Sequence, residues 1–142
     1  VDLAGKKSMP LRSYLDEGSG GLVLGVSVPV ALLAAVRAVS RTSHSPRSLV
    51  VAVSAHAAAP KLRGAVIIVS DCRGNLVRLA ETERRLERAA LPGRQEIEQL
   101  ARAEFSPRPD LHATVEYKRY MAGVLVADLL ASLASEAGEA VK

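Results

Sequence analysis

The densest array of side chains able to hold an anion is Ser40-Arg41-Thr42-Ser43-His44-Ser45-Pro46-Arg47-Ser48, with two guanidinium groups, an imidazole and several hydroxyls between two apolar stretches. Guanidinium and hydroxyl donors in one segment suit a phosphate or another anionic ligand. The same residues also suit a solvated hairpin end, and the sequence leaves both readings open. A second cluster, Glu116-Tyr117-Lys118-Arg119-Tyr120, sets aromatic residues beside charge at the head of an apolar run. It reads either as a partner surface or as a helix start with Tyr117 in the core and Lys118 and Arg119 in water.

Other chemistries find less support. His44, His56 and His112 are the only imidazoles, and no two stand at the spacing that brings a pair onto one metal, so no metal site is expected. Cys72, the single cysteine, has Asp71 and Arg73 beside it but no base and orienting partner, and it reads as a turn residue. It also excludes an internal disulfide and a cluster held by four thiolates, which makes a reducing, cytoplasmic setting the natural one. No GxSxG elbow occurs, and Gly18-Ser19-Gly20-Gly21 with Gly25 lacks both a Walker lysine and the GxGxxG frame, leaving a connector.

The elements that must position these groups fit within 142 residues, about one domain, and a 49% hydrophobic content is enough for a core. The opening segment lacks a signal peptide's apolar centre, no uninterrupted apolar run reaches the roughly 18 residues of a membrane span, and no membrane partner is expected. Because the chain starts at Val, residue 1 is treated as a possible cut. A net charge of +4 raises nucleic acid as a partner, but the basic residues are interleaved with acidic ones and only three Tyr and one Phe are present for stacking. Nucleic-acid binding is therefore not expected.

Residues 1 to 21 are polar and turn-rich and read as a connecting segment with one short turn of helix at Ser13 to Asp16. Four apolar stretches follow: Leu22 to Val28, Ala31 to Ser40, Leu49 to Ala58 and Leu62 to Ser70. Their β-branched content and their Gly, Pro and Ser punctuation predict strands, although Ala31 to Ala38 alone also fits a helix. Ala65 to Val69 is apolar on both faces, as in the middle of a sheet covered on at least one side. After Gly74 the period becomes helical: a charged helix around Glu81 to Arg88 on an apolar face of Leu79, Leu86 and Ala90, and a second from Gln95 to Phe105. Thr114 to Ala134 is the strongest helical pattern, capped by Thr114, with Tyr117, Met121, Val124, Leu125, Leu129 and Leu133 as its apolar stripe and Gly138 at its exit. Strands followed by helices predict an α+β domain over residues 22 to 142, an antiparallel sheet of three to four strands with the helices on one face.

At Asp110-Leu111-His112-Ala113-Thr114-Val115-Glu116-Tyr117-Lys118-Arg119-Tyr120-Met121-Ala122-Gly123-Val124-Leu125-Val126 the chain resembles a known family. It looks like the closing signature of the C-terminal domain of the FAD-binding medium subunit in carbon monoxide dehydrogenase and xanthine dehydrogenase-like molybdenum hydroxylases. Pro10 to Leu15 is similar to the segment that ends that family's flavin-binding region, and Leu24 to Pro29 to its strand ending in Pro. Arg41-Thr42 falls at its turn between two long strands, Gly64 to Val69 matches its next strand, and Leu79 to Glu83 resembles the helix start that follows. Ser70 to Asn75 stands where the family has a Gly-Gly-Val turn.

The resemblance implies an FAD-dependent oxidoreductase in which electrons pass from molybdenum through iron–sulfur clusters to FAD. This chain corresponds to the flavoprotein's last third, so it is expected to brace the FAD site and help dock subunits, without the main FAD-binding region and inactive alone. The implied partners are an FAD-binding region and the molybdenum and iron–sulfur subunits; the implied cofactor is FAD in the parent complex, with none bound by this chain by itself. Arg41 and His44 are the residues placed near the cofactor. From a different class, the chain also reads as a free-standing interaction module that uses the sheet or the last helix to form a homodimer or hold a partner, with the Ala and Val residues of Ala31 to Ala38 and Ala55 to Ala59 facing the second chain.

Overall fold

Alternation at period two across Leu49-Val50-Val51-Ala52-Val53-Ser54-Ala55 directs Leu49, Val51, Val53 and Ala55 to one side of a strand, and all four are buried. In the computed structural model, which describes residues 1–4, 7–17, 21–28, 32–58, 61–71, 74, 76–88 and 91–139, that strand is the centre of the molecule's main sheet. Cys72, Ala90 and the connector Gly18 to Gly20 lie outside the described residues. The chain divides into two units, Val1–Ala31 and Leu32–Lys142.

In the first unit, β1 (Asp2–Leu3) pairs antiparallel with β2 (Lys7–Ser8) and with β3 (Val23–Gly25), and α1 (Leu11–Glu17) carries an Arg12–Asp16 ion pair at 2.7 Å. The sequence pattern predicts Leu22 to Val28 as a strand of the main sheet. Only Val23–Gly25 is extended in a ladder, and it pairs with Leu3 and Asp2 instead. Leu22, Leu24, Val26 and Val28 are all exposed, so the stretch has no core to bury its apolar residues in.

The second unit is α+β: a four-stranded antiparallel sheet in the order β4 (Leu32–Ser40), β5 (Arg47–Ala58), β6 (Lys61–Asp71) and β7 (Leu76–Arg78). Its helices α2 (Ala80–Arg88), α3 (Arg94–Glu104) and α4 (Val115–Glu139) follow the strands in the chain. They cover the face formed by Leu33, Ala35, Leu49, Val51, Val53, Ile67 and Val69. Two bulges adjust which residues reach that face. Gly64, with φ of 59°, sits where the β5–β6 register shifts, and the extra residues let both Leu62 and Ala65 enter the core. At the other end of β5 the pairing passes from Leu49 opposite Val39 to Arg47 opposite Ser40, so Ser48 is the unpaired residue and is buried beside Leu49.

Helix α4 spans 25 residues and has the length and hydropathy of a membrane-crossing helix, but nearly half of that apolar window is buried in the domain's own core. The buried stripe is Ala122, Val126, Leu129, Leu130, Leu133 and Ala137. It differs from the stripe read by side-chain size because small residues allow the closest approach. A Cβ at Gly123 would stand 2.7 Å from the Glu98 carbonyl oxygen and 2.9 Å from the Arg102 side chain, so α3 and α4 touch through glycine. Rotating the helix to that contact leaves Tyr117 45% exposed and takes Lys118 to 0%, the reverse of the order expected from polarity. Gly138, expected at the exit, lies within the helix.

Helix α2 is capped from a distance. The Glu104 carboxylate accepts from the backbone N–H of Glu81 (2.9 Å) and Thr82 (3.0 Å) and from the buried Thr82 hydroxyl (2.9 Å), which satisfies first-turn donors and places negative charge at the helix's positive end. Glu104→Ala is expected to lower stability by about 1–2 kcal/mol, read as a lower urea midpoint at unchanged slope.

Candidate ligand groove beside the β4–β5 turn

The turn from Arg41 to Pro46 closes on its own hydroxyls. Thr42 Oγ1 and Ser45 Oγ share a hydrogen bond of 2.7 Å, and the Ser45 amide donates to Thr42 Oγ1 at 3.1 Å. Arg41, at the base of the turn, and His44, on it, are both exposed.

The facing wall is built from the residues before α4. Asp110 Oδ1 accepts from the backbone N–H of His112 (2.8 Å) and Ala113 (3.1 Å), turning the chain into the helix. The other carboxylate oxygen, Asp110 Oδ2, pairs with Lys118 Nζ, which also donates to the Arg108 carbonyl at 3.0 Å. Both side chains of this ion pair are nearly inaccessible, so the pair ties the loop to the second turn of α4. Thr114 then caps the helix by accepting from the Tyr117 amide at 3.2 Å.

Between turn and wall lies a groove of about 390 Å³, bounded by Val39, Arg41, Ser48, His112, Thr114 and Tyr117. Ser40 and Ala113 complete it. Arg41 thus stands on the groove, while His44, in the same turn, is not among the residues lining it. Ser48 shares the polar segment Ser40 to Ser48 with Arg41, but the sequence pattern did not join His112, Thr114 and Tyr117 to it. These three are separated from Arg41 by up to 76 positions along the chain (117 − 41), and no local pattern joins them to it. Their one sequence signal is the Asp110 to Tyr117 segment, which carries the loop, the cap and the aromatic wall together. The groove's volume is at the lower end of the roughly 300–1,000 Å³ typical of small-molecule sites.

A second charged cluster has a different character. Glu83, buried on α2, accepts from the Ile67 amide (2.8 Å) and from Arg78 (3.0 and 2.9 Å from Nε), and its carboxylate raises the Arg78 guanidinium pKa above the ordinary value. These bonds complete the end of a β ladder. Among the described residues no group of three or more His, Cys, Asp or Glu is placed to hold a metal ion.

No protein-family model matches the chain, and no curated protein sequence matches it. In three dimensions it is similar to reconstituted CO dehydrogenase from Oligotropha carboxidovorans, with a TM-score of 0.65 and 21% identity over 76% of this chain and 38% of that one. Carbon monoxide dehydrogenase from Hydrogenophaga pseudoflava gives 0.63 and 19% over 74% and 37%. Quinoline 2-oxidoreductase from Pseudomonas putida 86 gives 0.64 and 14% over 75% and 38%. The fold is thus similar to that of a domain found in these dehydrogenases and this oxidoreductase. The chain spans less than two fifths of the length of the chains it matches.

Proposed function

We propose that this chain acts as the C-terminal domain of a flavoprotein subunit of the molybdenum hydroxylase type, bracing the FAD site and docking neighbouring subunits in a reducing, cytoplasmic setting. The observation that carries this reading is the coincidence of the shared fold with the Asp110–Lys118 segment that builds the groove wall. A flavin held against the groove would supply electron transfer. The chain's own part is positional: Arg41 offers an exposed cation to a phosphate, Tyr117 a flat face, and Val39 and Ala113 an apolar lining. The main FAD-binding region and the molybdenum and iron–sulfur components are supplied by other regions or subunits.

Mixed with FAD and desalted, the chain by itself is expected to keep no flavin band in its visible spectrum. In a complex with an FAD-binding region, Arg41→Ala is expected to weaken flavin retention by roughly tenfold or more, the worth of one charge-assisted hydrogen bond, at unchanged melting temperature. His44→Ala, on the exposed part of the turn, is expected to have a smaller effect. Unchanged flavin content in the Arg41 variant would remove Arg41 from the site.

One observation favours the reading as a self-associating module. The sheet face turned away from the helices carries Ala34, Val36, Ala52, Val66 and Ile68, with Val36 60% exposed. Ala55, by contrast, is core and cannot face another chain. Under this reading the chain sediments as a dimer that Val36→Asp dissociates.

A further inference from the structure

We infer that the trough between strand β6 and helix α2 is a binding site for an extended peptide, which adds to the open edge of β6 at residues 62–66 and turns an acidic side chain toward Arg78 and Arg84. The first observation is where the sheet stops. Strand β7 pairs with β6 only at Ile68, Val69 and Ser70. Beyond it the Leu79 amide donates to the Ile67 carbonyl and the Glu83 carboxylate accepts from the Ile67 amide, and no described strand continues the ladder over residues 62–66. A strand edge left open in this way offers main-chain donors and acceptors at the spacing of another strand.

The second observation is the space beside that edge. Two cavities, of about 410 and 530 Å³, lie between α2 and residues 62–66, and because Gly64 and Glu87 border both they form one trough. Its helical wall is Ala80, Glu83, Arg84 and Glu87, at the spacing that puts them on one face of α2 over two turns. Its other wall is five residues of β6, roughly 16 Å of extended chain. Leu62, Ala65 and Leu86 are buried beneath it and give it an apolar floor. A Cβ at Gly64 would meet nothing nearer than His56 Cδ2 at 3.4 Å, so the space beside the middle of the strand is open. An open strand edge facing a helix is the geometry in which a peptide pairs through its main chain and lays alternate side chains against the helix.

The third observation is charge. Arg63, Arg78, Arg84 and Glu87 border the trough and are exposed, whereas Glu83 is buried and engaged by the Ile67 amide and Arg78. Glu83 takes Nε and Nη2 of Arg78, and Glu81 takes Nη2 of Arg84, leaving Nη1 of each without a hydrogen bond to a described residue. Guanidinium donors therefore exceed accessible carboxylates on the two walls, which selects an acidic peptide over a basic one. None of these residues belongs to the groove beside the β4–β5 turn, so the inference stands or falls independently of the flavoprotein reading.

The test is a selection of phage-displayed random peptides on the 142-residue chain, followed by titration with the enriched peptide, made synthetically, and amide chemical shifts. The expected peptide alternates β-branched and acidic residues and shifts the resonances of residues 62–66 and 80–87. It should bind at least tenfold more weakly when its alternate amides are N-methylated or its acidic residues are replaced by lysine. Glu87→Trp, which fills the trough from an exposed helix position, should weaken binding tenfold or more and Arg84→Gln about threefold, both at unchanged melting temperature, whereas Arg37→Ala on β4 should leave it unchanged. Enrichment of no peptide, shifts centred on β4, equal binding of the N-methylated peptide, or wild-type affinity in both the Glu87 and Arg84 variants would each overturn the assignment. Free glutamate binding as tightly as the peptide would make the trough a small-anion site and overturn strand addition. Concentration-dependent shifts at residues 62–66 without any peptide would give the edge to a second copy of the chain and overturn it as well.

Discussion

Lys118→Met is expected to remove about 3–5 kcal/mol from the unfolding free energy, a large part of the 5–15 kcal/mol typical of a domain. The size follows from what is left behind. Lys118 is fully buried, and its loss takes the paired ammonium away from an Asp110 carboxylate whose side chain is 5% exposed and which also accepts from two backbone amides. The Arg108 carbonyl loses its donor as well. The double variant Asp110→Asn, Lys118→Met, which buries no charge, is expected to recover most of the loss, since replacing both members of a buried pair is far cheaper than removing one. Urea unfolding of the wild type, the two single variants and the double variant measures this directly. A single-variant loss below 1 kcal/mol would show that the pair does not hold the loop.

Glu83→Ala is expected to cost about 3 kcal/mol, because it leaves a buried backbone donor unpaired as well as opening a cavity. Strand β7 ends at Arg78, after which the Leu79 amide still donates to the Ile67 carbonyl at 3.0 Å, but the Ile67 amide has only Glu83 to bond with. Glu83→Gln keeps an acceptor oxygen there and gives up only the charge on half-exposed Arg78, so its expected cost is about 1 kcal/mol. Equal losses in the two variants would mean that the ion pair, and not the strand amide, is what Glu83 serves.

The strands read at Ala31 to Ser40, Leu49 to Ala58 and Leu62 to Ser70, found at Leu32–Ser40, Arg47–Ala58 and Lys61–Asp71, and the three helices after Gly74 were legible because their apolar patterns are local. What was not legible depended on partners distant in sequence. Leu22 to Val28 has the composition of a core strand, yet its ladder is with Asp2–Leu3. Strand β7, at three residues, is too short for any period to announce it. Tyr117 and Lys118 exchanged places because polarity predicts burial only when a charge has no partner, and Asp110 supplies one. At the site, Arg41 stood out through the density of donors around it. Ser48 lay in the same segment, but its burial depends on a bulge in pairing with β4, and His112 and Tyr117 reach the groove only through the packing of α4 on the sheet.

A domain that works beside a flavin held mainly by another region should be found with that region and its flavin in the cell. The most direct test is to isolate the tagged chain from cells that naturally make it, desalt it, and record the visible spectrum alongside the identity of whatever remains bound. The expected result is a flavin band in stoichiometric amount together with an FAD-binding region. A chain recovered without flavin, alone or only with further copies of itself, would contradict the proposed role.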